Sequence, residues 1–249
     1  MTRDIRFEAE VPGTPEEVWD AIATGPGISS WFVPAEIDAT HMTQHHGTGM
    51  DWTSDIAAFE PPRRLVLEDD FAPSPDAEPR RLATEFLVEA RSGGTCVVRV
   101  VTHGLGDGED WDRAIESFTT GWTGALDDLR LYITHFAPER AGSFALSAPL
   151  DTGWDDLKRR LGLAEAAPGE RVATRDAPLL AGTVARAGEN SIALLLDAPA
   201  RGLAYLGSGG PDMEIIFFVR AKLFGDGARE LAGREEAAWE AWLAKVRPS

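Results

Sequence analysis

The side chains suited to acid–base or metal chemistry are few. His41, His45 and His46 form a histidine cluster, and imidazoles are common metal ligands. If the stretch is a strand, His41 and His45 stand about 13 Å apart at ~3.3 Å per residue, too far for one ion. No Cys lies near them, and Asp38 and Asp51 are generic neighbours. The spacing predicts an exposed strand and turn without a metal. His103 ends a later strand and is placed near the mouth of an expected pocket. There it would serve as a general acid or base near neutral pH; the commoner use is a hydrogen bond to backbone. Arg99 shares its face and, if inward, would hold a ligand carboxylate; an outward Arg is the more frequent arrangement. Cys96 has no partner base in sequence and reads as an inert core thiol. Tyr132 and Tyr205 are the two tyrosines, and no motif marks either as an acid. There is no phosphate loop, no nucleophile elbow and no paired-carboxylate motif on a helix face. The residues therefore assign no catalytic group and no cofactor, and they favour binding over catalysis.

The second functional group is apolar. Trp31, Phe32, Met50, Trp52, Phe86, Phe118 and Trp122, together with His103, are expected to line a pocket. A curved antiparallel sheet cannot fill its own concavity, and a long helix laid across it closes the space only in part. Apolar hollows with few polar groups are default small-molecule sites. The competing reading is ordinary core packing, which gives any helix on a sheet the same stripe.

The elements that would hold these residues follow from the pattern. Ile5, Phe7, Ala9 and Val11 alternate with charged residues, as in a half-buried strand. Thr14-Pro15-Glu16-Glu17 carries an N-cap, a proline at the first helical position and a capping-box glutamate. Strands are predicted over 49–59, with Met50, Trp52, Ile56 and Ala58 on one face, and over 64–71, 81–90 and 95–103. Ser92-Gly93-Gly94 supplies the last hairpin turn. Residues 72–79 are rich in Pro, Asp and Ala and form a loop. From Trp111 to Phe136, large apolar residues recur every three or four positions: one face of a helix of about 40 Å. Gly121 and Gly124 interrupt it, each at a cost of about 1 kcal/mol relative to Ala; they leave room for a bend, a ligand or a strand.

Residues 138–142 form a candidate boundary, and the order then restarts. A strand at Phe144, a helix at Trp154 capped by Asp151 or Thr152, strands at 179–187, 191–197, 201–206 and 213–223, and a helix over 228–246 repeat the first half in shortened form. The expected domains are 1–138 and 143–249.

Composition narrows the partners. The chain has 249 residues, 24 Lys and Arg against 41 Asp and Glu, and a net charge of −17. Such a surface repels phosphate backbones and anionic headgroups, which disfavours nucleic acid. The single cysteine excludes an intrachain disulfide and suits a reducing cytoplasm. Met1-Thr2-Arg3-Asp4 runs directly into a strand and not into a signal peptide. No apolar run reaches the ~18 residues of a membrane span.

Five landmarks resemble the family of activator of heat-shock-protein ATPase homologues, in the START-like (SRPBCC, Bet v-type) superfamily. They are Pro15-Glu16-Glu17-Val18-Trp19-Asp20-Ala21-Ile22, Trp31-Phe32-Val33-Pro34, Phe59-Glu60-Pro61-Pro62-Arg63-Arg64-Leu65, Gly93-Gly94-Thr95 leading to Thr102-His103-Gly104, and Gly121-Trp122 with Leu126, Leu129 and Tyr132. The resemblance covers some 130 residues. It implies an α+β helix-grip fold, a curved antiparallel sheet with a long C-terminal helix, and a cavity; the restarted pattern implies a degenerate second copy. The second half lacks the Pro-Pro-Arg-Arg-Leu and Gly-Trp landmarks. The superfamily holds lipid carriers, hormone receptors, polyketide cyclases and chaperone partners, so fold does not set activity. The leading expectation is a cytoplasmic binding protein for a small apolar or amphipathic molecule. An aromatase/cyclase-like or hydrolytic enzyme using the same pocket, and a chaperone-interacting module, are the alternatives. The co-chaperones of this family carry a further domain ahead of this one; no such segment precedes residue 3, which weighs against the last. No protein partner is marked by the residues.

Overall fold

The computed structural model describes residues 2–46, 51–209 and 216–246. Contacts between Cα atoms divide the chain into two compact units, Met1–Arg140 and Ala141–Ser249.

In the first unit, β1 (Arg3–Pro12) leads to α1 (Pro15–Ala23) and the short α2 (Gly25–Ser29). The capping box forms as the residues require: Thr14 Oγ1 accepts from the Glu17 backbone N–H at 3.3 Å, and Thr14 N donates to Glu17 Oε2 at 2.8 Å. Six more strands follow: β2 (Ala35–Ile37), β3 (His41–His45), β4 (Asp51–Glu60), β5 (Arg64–Phe71), β6 (Arg80–Arg91) and β7 (Thr95–Leu105). The β6–β7 turn is tight because Gly93 and Gly94 adopt φ of 93° and 77°, angles that exclude most side chains. Then comes α3 (Glu109–His135), which lies against β1 and β7.

In the second unit, β8 (Gly142–Pro149) and α4 (Trp154–Leu161) precede β9 (Arg171–Ala173), β10 (Ala181–Ala187), β11 (Ser191–Ala198), β12 (Gly202–Gly209), β13 (Ile216–Leu223) and α5 (Ala228–Val246). The α4 cap is Gly153, not Asp151 or Thr152, and it makes no side-chain cap bond. β2 and β9 are three residues each, too short for a period-2 pattern to register.

The two sheets share one topology. The seven-stranded sheet runs β1-β7-β6-β5-β4-β3-β2 and the six-stranded one β8-β13-β12-β11-β10-β9. In each, the first strand pairs with the last and the others return in reverse chain order, all antiparallel. Each unit closes on its long helix. This is a tandem helix-grip fold of class α+β. In the second unit Phe217, Trp239 and Trp242 form a packed aromatic cluster, with Trp239 fully buried.

Candidate functional site

Strand parity decides which side chains face α3. On β7, up to the irregularity near its end, the buried residues are Cys96, Val98, Val100 and Thr102, and Leu105 is buried beyond it. Cross-strand pairing extends that face to Thr84 and Phe86 on β6, then to Leu65 and Leu67 on β5. On β4 it reaches Ile56 and Ser54, and on β3 Met42 and Gln44. One bulge interrupts the rule. Ile56 pairs with Leu67 but Ala58 pairs with Val66, so Ala57 is an extra residue and the face reverses. Ala58 therefore faces outward, contrary to the alternating expectation. Phe59 faces inward, where its ring meets Trp19 edge-on at 5.2 Å.

Helix α3 grips this face at its two ends. Near the N-terminus, buried Trp111 packs with Leu82 and Leu105. Toward the C-terminus, Ala125, Leu126, Leu129 and Tyr132 are buried, and the Tyr132 hydroxyl donates to the Glu139 carbonyl at 2.9 Å. Between these anchors no helix residue is fully buried. There the helix bridges a cavity of about 440 Å³.

Two helical rows roof the cavity, Ser117–Gly121–Ala125 and Phe118–Trp122, each at i, i+4 spacing. A Cβ added at Gly121 meets nothing within 4 Å. The cavity is aromatic toward one side, where Trp52 and Phe71 of the sheet stand 6.0 Å apart by ring centroids and Phe71 meets Phe118 of the roof at 5.1 Å. Phe86 meets Trp122 edge-on at 5.5 Å. Phe32 enters from the turn after α2, with its ring 5.9 Å from that of His46. Polar groups sit among these rings. Ser54 Oγ donates to Asp69 Oδ2 at 3.0 Å, and the Thr84 and Thr102 hydroxyls stand 3.4 Å apart. Burial, reinforced by nearby His45, pushes the His46 imidazole below the usual histidine value.

Of the residues expected at a pocket, the structure brings together Phe32, Trp52, Phe86, Phe118 and Trp122. Met50 lies outside the described residues. Trp31 stands behind Phe32 in the core, where its indole N–H donates to the Ala21 carbonyl at 2.9 Å. His103 is not at the mouth. Its odd position on β7 turns it to the outer face, with Nδ1 3.0 Å from Asp4 Oδ2. Arg99 shares that outer face and pairs with Glu89 at 2.7 Å and Glu8 at 3.4 Å. His41 and His45 also face outward, each beside its own carboxylate: Asp55 at 3.3 Å and Asp51 at 2.8 Å. Cys96 is buried, and burial raises its thiol pKa.

Residues 12–134 match the sequence profile of the family described as Activator of Hsp90 ATPase homolog 1-like protein. The first unit is similar to this family over nearly its whole length. No curated protein matches the chain significantly. Among solved structures, the di-domain ARO/CYC protein BexL from the BE-7585A biosynthetic pathway is 14% identical over 99% of this chain and 99% of its own, with a TM-score of 0.49. Protein MLL2253 from Mesorhizobium loti is 20% identical over 53% of this chain and 97% of its own, at 0.47. DynU16, from the dynemicin biosynthetic locus, is 16% identical over 97% of this chain and 96% of its own, at 0.44.

Within this unit a polar wall, marked by no motif in the sequence, completes the cavity. Gln44, His46, Ser54, Asp69, Thr84 and Thr102 all face the cavity. Extending the Trp52 and Phe86 faces by two residues in either direction would have found Ser54 and Thr84. The same alternation run along β5 from Leu65 and Leu67 reaches Asp69, which sits between two other acids.

Proposed function

We propose that the first unit binds a small hydrophobic or amphipathic molecule in the cavity beneath α3. The observation that carries this reading is the hollow itself. Protein interiors pack with few voids larger than a water, whereas about 440 Å³ lies within the ~300–1,000 Å³ range of ligand pockets. Its aromatic walls supply the contact area and its polar wall supplies orientation. The reading is tested by titrating the full chain with the neutral fluorophore N-phenyl-1-naphthylamine, beside native mass spectrometry for a retained molecule. Saturable, one-site binding with a change in tryptophan emission from Trp52 and Trp122 is expected. Absence of saturable binding overturns the proposal.

A cyclase-like or hydrolytic reaction in the same cavity is the second reading, and His46 is what favours it. A depressed imidazole is a neutral base at neutral pH. Turnover of a ligand recovered from the protein, lost in His46→Gln, would establish it over simple binding. A chaperone-interacting role needs a contiguous apolar patch. Trp52 and Phe59, this unit's large exposed hydrophobics among the described residues, instead serve the cavity and the Trp19 contact. No helix among the described residues is long and apolar enough to cross a membrane. A cytoplasmic setting is part of the proposal, supported by the single buried thiol.

A further inference from the structure

Strand β5 carries three consecutive acids whose surroundings differ. Glu68 and Asp70 take the outer face, where Arg81 comes within 3.4 Å of the first and 3.9 Å of the second, and also pairs with Asp55. Asp69 faces the cavity. Its carboxylate accepts the Ser54 hydroxyl at 3.0 Å. One hydroxyl occupies a single one of the roughly four acceptor positions a carboxylate offers. Among the described residues lining the cavity there is no Lys and no Arg. His46, the other titratable lining group, is held toward its neutral form by burial and by His45, so it supplies little countercharge.

The rings beside Asp69 suit the same ligand group. Phe71 lies two residues further along the same strand face, and its ring contacts both Trp52 and Phe118. Aromatic faces attract ammonium groups through the ring quadrupole, and desolvation strengthens that attraction. A carboxylate flanked by such rings, with no protein cation opposite, is a receptor for an organic cation. An anionic ligand would meet like charge without an offset. A neutral ligand would shield the Asp69 oxygens from water without replacing the lost charge interaction. The net charge of −17 also draws cations toward the protein.

We infer that the cavity selects an amphipathic organic cation: an apolar or aromatic body whose protonated amine sits against Asp69 and the rings of Trp52 and Phe71. This rests on the ligand-binding proposal and narrows it to a chemical class. The experiment displaces N-phenyl-1-naphthylamine from the full chain with three matched competitors: 1-naphthalenemethylamine, 1-naphthalenemethanol and 1-naphthoate. The amine is expected to displace the probe at a concentration about tenfold below the alcohol, with naphthoate weakest. In Asp69→Asn the amine's advantage over the alcohol, each read against the probe's own affinity for that variant, disappears. The wild-type ranking alone tests the inference if that variant fails to fold. Equal or better competition by the alcohol or naphthoate in wild type overturns it while leaving ligand binding intact. So does an amine preference that survives Asp69→Asn. Failure of the probe to bind wild type overturns both.

Discussion

Replacing Trp122 by alanine separates a cavity wall from a filled core. Truncating a tryptophan in a packed interior costs about 3–5 kcal/mol, part of it the penalty for the void left behind. Trp122 is only partly buried and already borders about 440 Å³ of open space. Its removal enlarges an existing hollow more than it opens a new one. What remains is the transfer of a part-buried ring and the edge-on contact with Phe86, worth ~0.5–1.5 kcal/mol. Together these give a stability loss of about 2 kcal/mol. Trp239 is the internal control, being fully buried with Trp242 at 5.4 Å and Phe217 at 6.5 Å. Its truncation should cost the full ~3–5 kcal/mol. Urea unfolding followed by circular dichroism measures both, with each unit's transition fitted separately because a multi-domain chain need not unfold in one step. The same Trp122→Ala protein should bind N-phenyl-1-naphthylamine ~1–3 kcal/mol more weakly, as loss of an aromatic anchor does. A stability loss near that of Trp239→Ala, with probe affinity unchanged, would refute the reasoning and make the α3 stripe ordinary core.

Gly121→Ala should stabilise the first unit by ~0.5–1 kcal/mol, since the added methyl meets no neighbour and helix propensity rises; Gly121→Leu should leave the circular dichroism spectrum intact and block the probe. The His46 pKa is lowered in the fold, so its contribution to stability is present above 6.5 and lost as pH falls through the depressed value; between pH 7 and 5 the melting temperature should fall more steeply in wild type than in His46→Gln. Lys222 is buried on β13 with its pKa pushed by burial from 10.5 to about 7, so the unfolded chain holds the extra proton across that interval and wild-type stability rises with pH. Lys222→Met should remove that slope, so that the stability of wild type relative to the variant rises between pH 7 and pH 10 in chemical denaturation. We propose 1–138 and 143–249 as independent folding domains; limited proteolysis should nick the exposed 72–79 loop before the junction, which Arg140–Asp20 and Tyr132–Glu139 contacts tie down.

Long-range order was legible where a pattern repeats over many residues. The 3.6-residue stripe from Trp111 onward marked α3, and Thr14 with Glu17 marked the start of α1. The restart at Phe144 marked a second copy, which the matching strand orders now show. Parity errors came from phase, which a lone strand does not carry. His103 and Arg99 share a face as expected, but only pairing with β6 reveals that it is the outer one. Alternation misplaces Ala58 because a bulge adds a residue without any unusual residue type to announce it. The place of Trp31 at the short helix suggests a cavity wall, yet its indole serves α1. The Ser54–Asp69 contact joins positions 15 apart across two strands, a relation that exists only once the register is known.

The extra residue at Ala57 makes β4 two half-strands of opposite phase. Upstream, Trp52 and Ser54 serve the cavity; downstream, Phe59 docks on Trp19. Deleting that one residue would restore strict alternation and force one half to turn its side chains over. Homologous chains that differ in length by one residue here would thus keep the same sheet yet present different side chains to the cavity. An alignment drawn without a gap at this point would match cavity residues of one chain with surface residues of the other. Specificity in this fold can therefore diverge by a single-codon insertion or deletion, leaving every strand and helix in place.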